Sequence, residues 1–152
     1  MNDAFASLFE WWGLIPFYSV GLGIHLQGYD KFCKNFNGTP WYTYIGVIMI
    51  LSTLFTFALF YYIIRNPRFN RAWNWWIMAL ILFIINFSIS FSIPYNDISS
   101  KNICPKLNVR IEDCLGFAFS VSIWSVIILM ILTITPLRKG SINCRNTTFW
   151  KP

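Results

Sequence analysis

Charge is the first thing this sequence has little of. Only 12% of its 152 residues are charged, about half of the ~25% that a soluble domain carries. Hydrophobic residues make up 56% of the chain and aromatic residues 20%, which is more apolar surface than a small soluble core can hide from water. The composition therefore excludes an ordinary soluble domain and predicts an all-α integral membrane protein.

Residue types for catalysis are also scarce. The chain has a single histidine, His25, so a multi-histidine metal site is excluded. Its four cysteines form no C-x-x-C pair, the arrangement in which one thiolate attacks and its neighbour resolves. There is no glycine-rich phosphate loop. We therefore expect a non-enzymatic protein with no catalytic residues, metal or cofactor, and a membrane thiol oxidoreductase is only a minor alternative.

Long uncharged stretches are what the sequence has instead. Three of them, 42–64, 72–93 and 115–134, contain no charged residue. About 20 residues in a helix cross a hydrocarbon core of ~30 Å, so each stretch is predicted to span a membrane.

The N-terminal stretch 8–26 is long enough for a fourth span but contains Glu10, Pro16 and His25. We interpret it as a helix kinked at Pro16, with an interfacial or re-entrant segment as the alternative. The predicted architecture is a single membrane domain, 1–152, folded as a four-helix bundle with a short basic tail at 135–152.

Basic residues predict the orientation. Four spans place segment 65–71 and the tail on one side with seven basic residues, against five in the two opposite loops. Lys and Arg are enriched in cytoplasmic loops, so we expect both termini in the cytoplasm, with a bacterial inner membrane as the compartment. Six residues are predicted to hold the turn between the second and third spans at headgroup depth: Arg65, Arg68, Arg71, Trp73, Trp75 and Trp76.

The cysteines of the predicted outer loops suggest a covalent staple. Cys104 and Cys114 lie ten residues apart in one loop, and in an oxidising compartment they are predicted to form a disulfide. Pairing of Cys33 with either of them is the competing outcome.

Polar and small residues inside the spans are the remaining candidates for function. Asn86, Ser88, Ser90, Ser122 and Ser125 lie within the uncharged stretches, and Gly116 and Ser120 form a small-residue pair four positions apart. Such residues let helices approach closely and bond across an interface, or they line a pore. We favour packing.

Together these features predict a multipass membrane subunit that acts as a scaffold or anchor in a larger membrane assembly. Its expected partners are the lipid bilayer and either copies of itself or other membrane and cytoplasmic subunits, and no nucleic acid. A homo-oligomeric channel or membrane-perturbing effector is the alternative function.

Overall fold

The computed structural model describes residues 2–11, 17–64 and 72–135, and these residues form helices and connecting loops without a β-strand. The helices are α1 (Asn2–Phe9), α2 (Val20–Leu26), α3 (Trp41–Ala58, continued by a π-helical turn over Leu59–Ile63), α4 (Ala72–Ser99) and α5 (Ile111–Ile134), with a short 3₁₀ helix at Pro105–Leu107. The all-α class predicted from the sequence is confirmed.

Helices α3, α4 and α5 are each long and apolar enough to cross a membrane. Three predicted spans are therefore confirmed as helices of the right length and composition. The largest difference is in α4, which continues through Pro94 to Ser99 instead of ending at residue 93. At this end of α4, Ile93 packs against the buried cluster that includes Phe9, and Asp97 pairs with His25. Local sequence does not reveal these contacts.

The three long helices pack side by side, with the most extensive contact between α4 and α5. Two clusters of buried side chains hold them together. One cluster includes Phe9, Tyr42 and Phe117 and joins α1 and α2 to the first halves of α3 and α5. The other includes Trp75 and Leu129 and lies toward the opposite end of the bundle.

The fourth span predicted over 8–26 is not confirmed. The structure places two short helices there, because α1 ends at Phe9 and α2 begins only at Val20. Trp11 has a φ of 51°, a left-handed conformation that does not continue a helix. Pro16, the predicted kink, lies outside the described residues. Ser19 caps α2, since its Oγ accepts a hydrogen bond from the Leu22 N–H at 3.4 Å.

The first N-terminal helix packs near the end of the bundle where α3 begins. Thr43 Oγ1, in the first turn of α3, donates to Asn2 Oδ1 at 3.2 Å. Seven residues later, the carbonyl of Phe9 accepts a hydrogen bond from Ser120 Oγ at 2.8 Å. The Phe9 ring also lies 6.1 Å from the ring of Tyr42, in the first turn of α3, so α1 crosses from the start of α3 to α5.

The chain then returns to the end from which it came. Backbone N–H of Ser19 donates to Asp113 Oδ1, in the first turn of α5, at 2.9 Å. At the end of α2, the carbonyl of Gln27 accepts from Asn2 Nδ2 at 3.2 Å. Residues 2–11 and 17–26 thus begin and end near the same end of the bundle, and we call them the N-terminal hairpin.

The first and last described residues lie at opposite ends of the bundle. Asn2 is at the end of the bundle where α3 and α5 begin, whereas Thr135 follows the last turn of α5 at the opposite end. The prediction that both termini share a side is therefore not confirmed. Two loops, 27–40 and 100–110, cover the end that holds Asn2, and we call them the cap.

Candidate functional site

A disulfide between Cys33 and Cys104 joins the two loops of the cap, with a Cα–Cα distance of 5.5 Å. The predicted Cys104–Cys114 pairing is therefore wrong, and the competing outcome with Cys33 is the one observed. Cys114 is a free, fully buried cysteine in the first turn of α5. That helical turn directs its thiol into the bundle, where Sγ lies 3.8 Å from the carbonyl oxygen of Arg110.

A polar pair joins the hairpin to the last turns of α4. His25 Nε2, on α2, lies 3.0 Å from Asp97 Oδ2, in the last turns of α4. His25 is only 6% exposed, and its Nδ1 has no hydrogen-bond partner within the described residues. A cavity of about 280 Å³ adjoins the pair and is also lined by Asp30 and Asn102. Sequence analysis missed this pair because its members are 72 residues apart.

The one carboxylate of the hairpin's interior takes part in a chain of hydrogen bonds. Tyr42 OH donates to Glu10 Oε1 at 3.1 Å, and the hydroxyls of Tyr18 and Tyr42 are 2.9 Å apart. A tyrosine hydroxyl has one proton, so Tyr18 is the donor to Tyr42. The signal in the sequence was an acidic residue within an apolar run, but nothing local identified its partners.

Beside Glu10 lies a cavity of about 390 Å³, which we call the hairpin cavity. Its lining includes Glu10, Phe17, Tyr18, Ser19 and Gln27, with Val20 at its exposed rim. Glu10 Oε2 accepts no hydrogen bond from the described residues, and the single ion pair among those residues is the His25–Asp97 pair. Among the described residues that line the cavity, Glu10 is the one charged side chain, and none of them pairs with it as a cation.

The residues predicted to line a pore do not form one wall. Asn86, Ser90, Ser122 and Ser125 are buried, whereas Ser88 is exposed on α4. Most of these side chains bond within their own helix: Asn86 Nδ2 donates to Leu82, Ser88 to Ile84, Ser122 to Ala118 and Ser125 to Ser122, each to a carbonyl oxygen. Asn86 also accepts from Ser52 Oγ, on α3, at 3.0 Å. Ser52 is a partner that sequence analysis missed.

Of the six predicted anchors, Arg65, Arg68 and Arg71 lie outside the described residues. Trp73 and Trp76 are 72% and 44% exposed and suit an interfacial position. Trp75 does not, because it is 2% exposed and its Nε1 donates to Thr133 Oγ1 of α5 at 3.2 Å. Adjacent helix positions differ by about 100°, so Trp75 turns into the bundle when Trp76 turns out.

No protein-family model, curated protein or solved structure matches this chain. In the described ranges, no group of three His, Cys, Asp or Glu side chains is placed to hold a metal ion. The geometry instead supplies two distinct features. One is the disulfide-linked cap, and the other is the hairpin cavity with its unbalanced carboxylate.

Proposed function

We propose that the chain is a non-enzymatic membrane subunit that acts as a scaffold, with three spans and an N-terminal hairpin that enters and leaves the bilayer on the same side. The observation that supports the scaffold most directly is the set of hydrogen bonds that the buried polar residues make. Asn86 bonds to Ser52 and Leu82, and Ser122 and Ser125 bond within α5. These three side chains are at most 1% exposed inside the bundle of a single chain, and their hydrogen bonds lie between and along its helices, which favours a packing role over a pore lining.

The cap faces the oxidising side of the membrane in this proposal. Disulfides persist in a periplasm or outside the cell and are rare in the cytosol, which favours that side for Cys33 and Cys104. Segments 65–71 and 136–152 hold seven of the twelve basic residues, and three spans carry both to the cytoplasmic side, as the positive-inside rule favours. The inner membrane of a bacterium provides both compartments.

Exposed residues of the cap supply the surface for a partner. Phe32 and Phe36 are 68% and 62% exposed, and the Lys31 ammonium lies 5.2 Å from the centre of the Phe32 ring. The other exposed lysines of the cap are Lys34, Lys101 and Lys106. Apart from the partly exposed Asp30, the charged residues of the cap are basic, and aromatic anchors beside an excess of positive charge suit an acidic protein surface. The proposed partner is therefore an acidic extracytoplasmic protein or domain.

Photo-crosslinking in native membranes tests the scaffold. A photoreactive amino acid replaces Phe36 in the cap, and the matched control replaces Phe55, which is equally exposed on α3. We expect a discrete protein adduct from position 36 that is absent from position 55 and that disappears in the Cys33→Ser variant. The scaffold proposal fails if position 36 yields no protein adduct, or if Cys33→Ser leaves the adduct unchanged.

Tags at the two termini test the orientation. A protease added to intact spheroplasts should remove an N-terminal tag, because the hairpin returns the chain to the cap side. A membrane-impermeant maleimide should label Cys144 only after lysis. Both termini on the cytoplasmic side would restore the four-span topology and reject the re-entrant hairpin.

A homo-oligomeric channel is the second candidate function, and one observation favours it. Ser88 and Ser92 are exposed on the same face of α4, four residues apart, where a second copy would meet them. If liposomes with the purified protein conduct ions and Ser88→Leu abolishes the flux, the channel is supported. Absence of flux in the wild type rejects it.

A further inference from the structure

The hairpin cavity combines features that recognise an organic cation. The described residues of its lining include a single charged group, the Glu10 carboxylate, and no basic side chain. Tyr42 holds Oε1 of this carboxylate, while Oε2 accepts no hydrogen bond from the described residues. An ionised group in a largely apolar protein site is costly unless it is paired, so a positively charged ligand would stabilise it.

The shape and lining of the cavity favour an ammonium group over a bare metal ion. A volume of about 390 Å³ is in the range of small-molecule sites. Phe17 and Tyr18 contribute aromatic rings to the lining, and aromatic faces attract ammonium and quaternary ammonium groups. A metal ion would find only one carboxylate here, and none of the described His, Cys, Asp and Glu residues form a metal-binding group.

The depth of the cavity suggests where such a group comes from. Tyr42 is the second residue of α3, and Ser19 bonds to Asp113 in the first turn of α5. The cavity therefore lies near the ends of two spans, where lipid headgroups would be found. Val20, at the rim, is 80% exposed, so a headgroup reaches the site from the bilayer without a change in fold.

We propose that the hairpin cavity binds an ammonium group, with the Glu10 carboxylate as its counter-ion and Phe17 and Tyr18 against its apolar surface. Phosphatidylethanolamine and phosphatidylcholine carry this group in a bilayer, and ethanolamine and choline carry it in solution. This site requires the folded hairpin but is independent of any partner at the cap.

Lipid competition followed by native mass spectrometry tests the site. Full-length protein in mild detergent receives an equal mixture of phosphatidylethanolamine, phosphatidylcholine and phosphatidylglycerol with identical acyl chains. The readout is the ratio of retained ammonium lipids to retained phosphatidylglycerol. Basic residues elsewhere bind phosphatidylglycerol equally in every variant, so a change in this ratio reports the cavity.

Glu10→Gln should lower the ratio about tenfold, the change that about 1.4 kcal/mol produces. The matched control is Glu112→Gln, the same substitution at an exposed position in the first turn of α5, and it should leave the ratio unchanged. Val20→Trp, which obstructs the rim and leaves Glu10 in place, should also lower the ratio. If Glu10→Gln does not fold, the ratio measured for Val20→Trp tests the proposal.

Free choline or ethanolamine in a parallel sample identifies the source of the ammonium group. Displacement of the lipid shows that the cavity accepts soluble amines as well, and failure to displace it shows that the acyl chains contribute to binding. The proposal is overturned if folded Glu10→Gln and Val20→Trp both retain the wild-type ratio, or if Glu112→Gln lowers it as much as Glu10→Gln does.

Discussion

Removal of the Cys33–Cys104 disulfide should destabilise the protein substantially, because this bond joins distant parts of the chain. The two cysteines are 71 residues apart, and the loop between them includes all of α3 and α4. In the chain-entropy model a closed loop of this length contributes about 4.4 kcal/mol at 25 °C. Denatured states that keep residual structure have less entropy to lose, so we expect a measured loss of about 2–4 kcal/mol.

The assay is unfolding in mild-detergent micelles by titration with sodium dodecyl sulfate, followed by tryptophan fluorescence. Cys33→Ser, Cys104→Ser and the double variant should all lose the same free energy of unfolding, because each breaks the same bond. Addition of a reductant should produce the same loss in the wild type and no further loss in these variants.

Cys114→Ser is the control that separates the observed pairing from the Cys104–Cys114 alternative. Cys114 is free and buried, so its replacement should keep the disulfide and leave the response to reductant unchanged. The reasoning is refuted if peptide mapping of the oxidised protein links Cys104 to Cys114. It is equally refuted if Cys33→Ser unfolds at the wild-type detergent fraction.

Two further predictions concern the polar and aromatic residues of the long helices. Asn86→Ala should lower the free energy of unfolding by about 0.6–1.7 kcal/mol, which are the average and the maximum measured for hydrogen bonds between membrane helices. Ser88→Ala, on the exposed face, should change it little, and equal effects in the same detergent titration would contradict the assigned burial. Trp75→Phe should destabilise the bundle, because it removes the hydrogen bond to Thr133 and reduces the buried ring area, whereas Trp76→Phe should not. A larger effect at Trp76 would contradict the burial of Trp75 and assign it to the membrane surface.

Local sequence was sufficient to predict the three long helices, because an uncharged run of 20 residues or more has few other stable structures. The hairpin was beyond the same reasoning. Hydropathy shows that the apolar stretch 8–26 is long enough to span a membrane. It does not show that Glu10 and His25 bond to Tyr42 and Asp97, which lie on other helices. Only the fold brings these groups together, so the fourth span was predicted from length alone.

Predictions from sequence spacing were also wrong for the cysteine pairing and for the position of Trp75. Ten residues between Cys104 and Cys114 made their pairing plausible, but the start of α5 buries Cys114, and the loops of the cap bring Cys33 to Cys104. The three nearby tryptophans were assigned to one interfacial belt, although helical geometry separates Trp75 from Trp76. Burial of Trp75 against Thr133 depends on α5, which is 58 residues away.

The small-residue pair of α5 shows how the hairpin limits the ways in which copies of this chain can associate. Gly116 and Ser120 were candidates for close contact between helices of two protomers. In the structure the chain itself occupies that position. A β-carbon on Gly116 would overlap the carbonyl oxygen of Phe17, and Ser120 Oγ bonds to both Phe9 and Trp11. A second copy would reach this face of α5 only by displacing the hairpin, so self-association of the intact fold has to use other faces, such as the exposed apolar residues of α3 and α4.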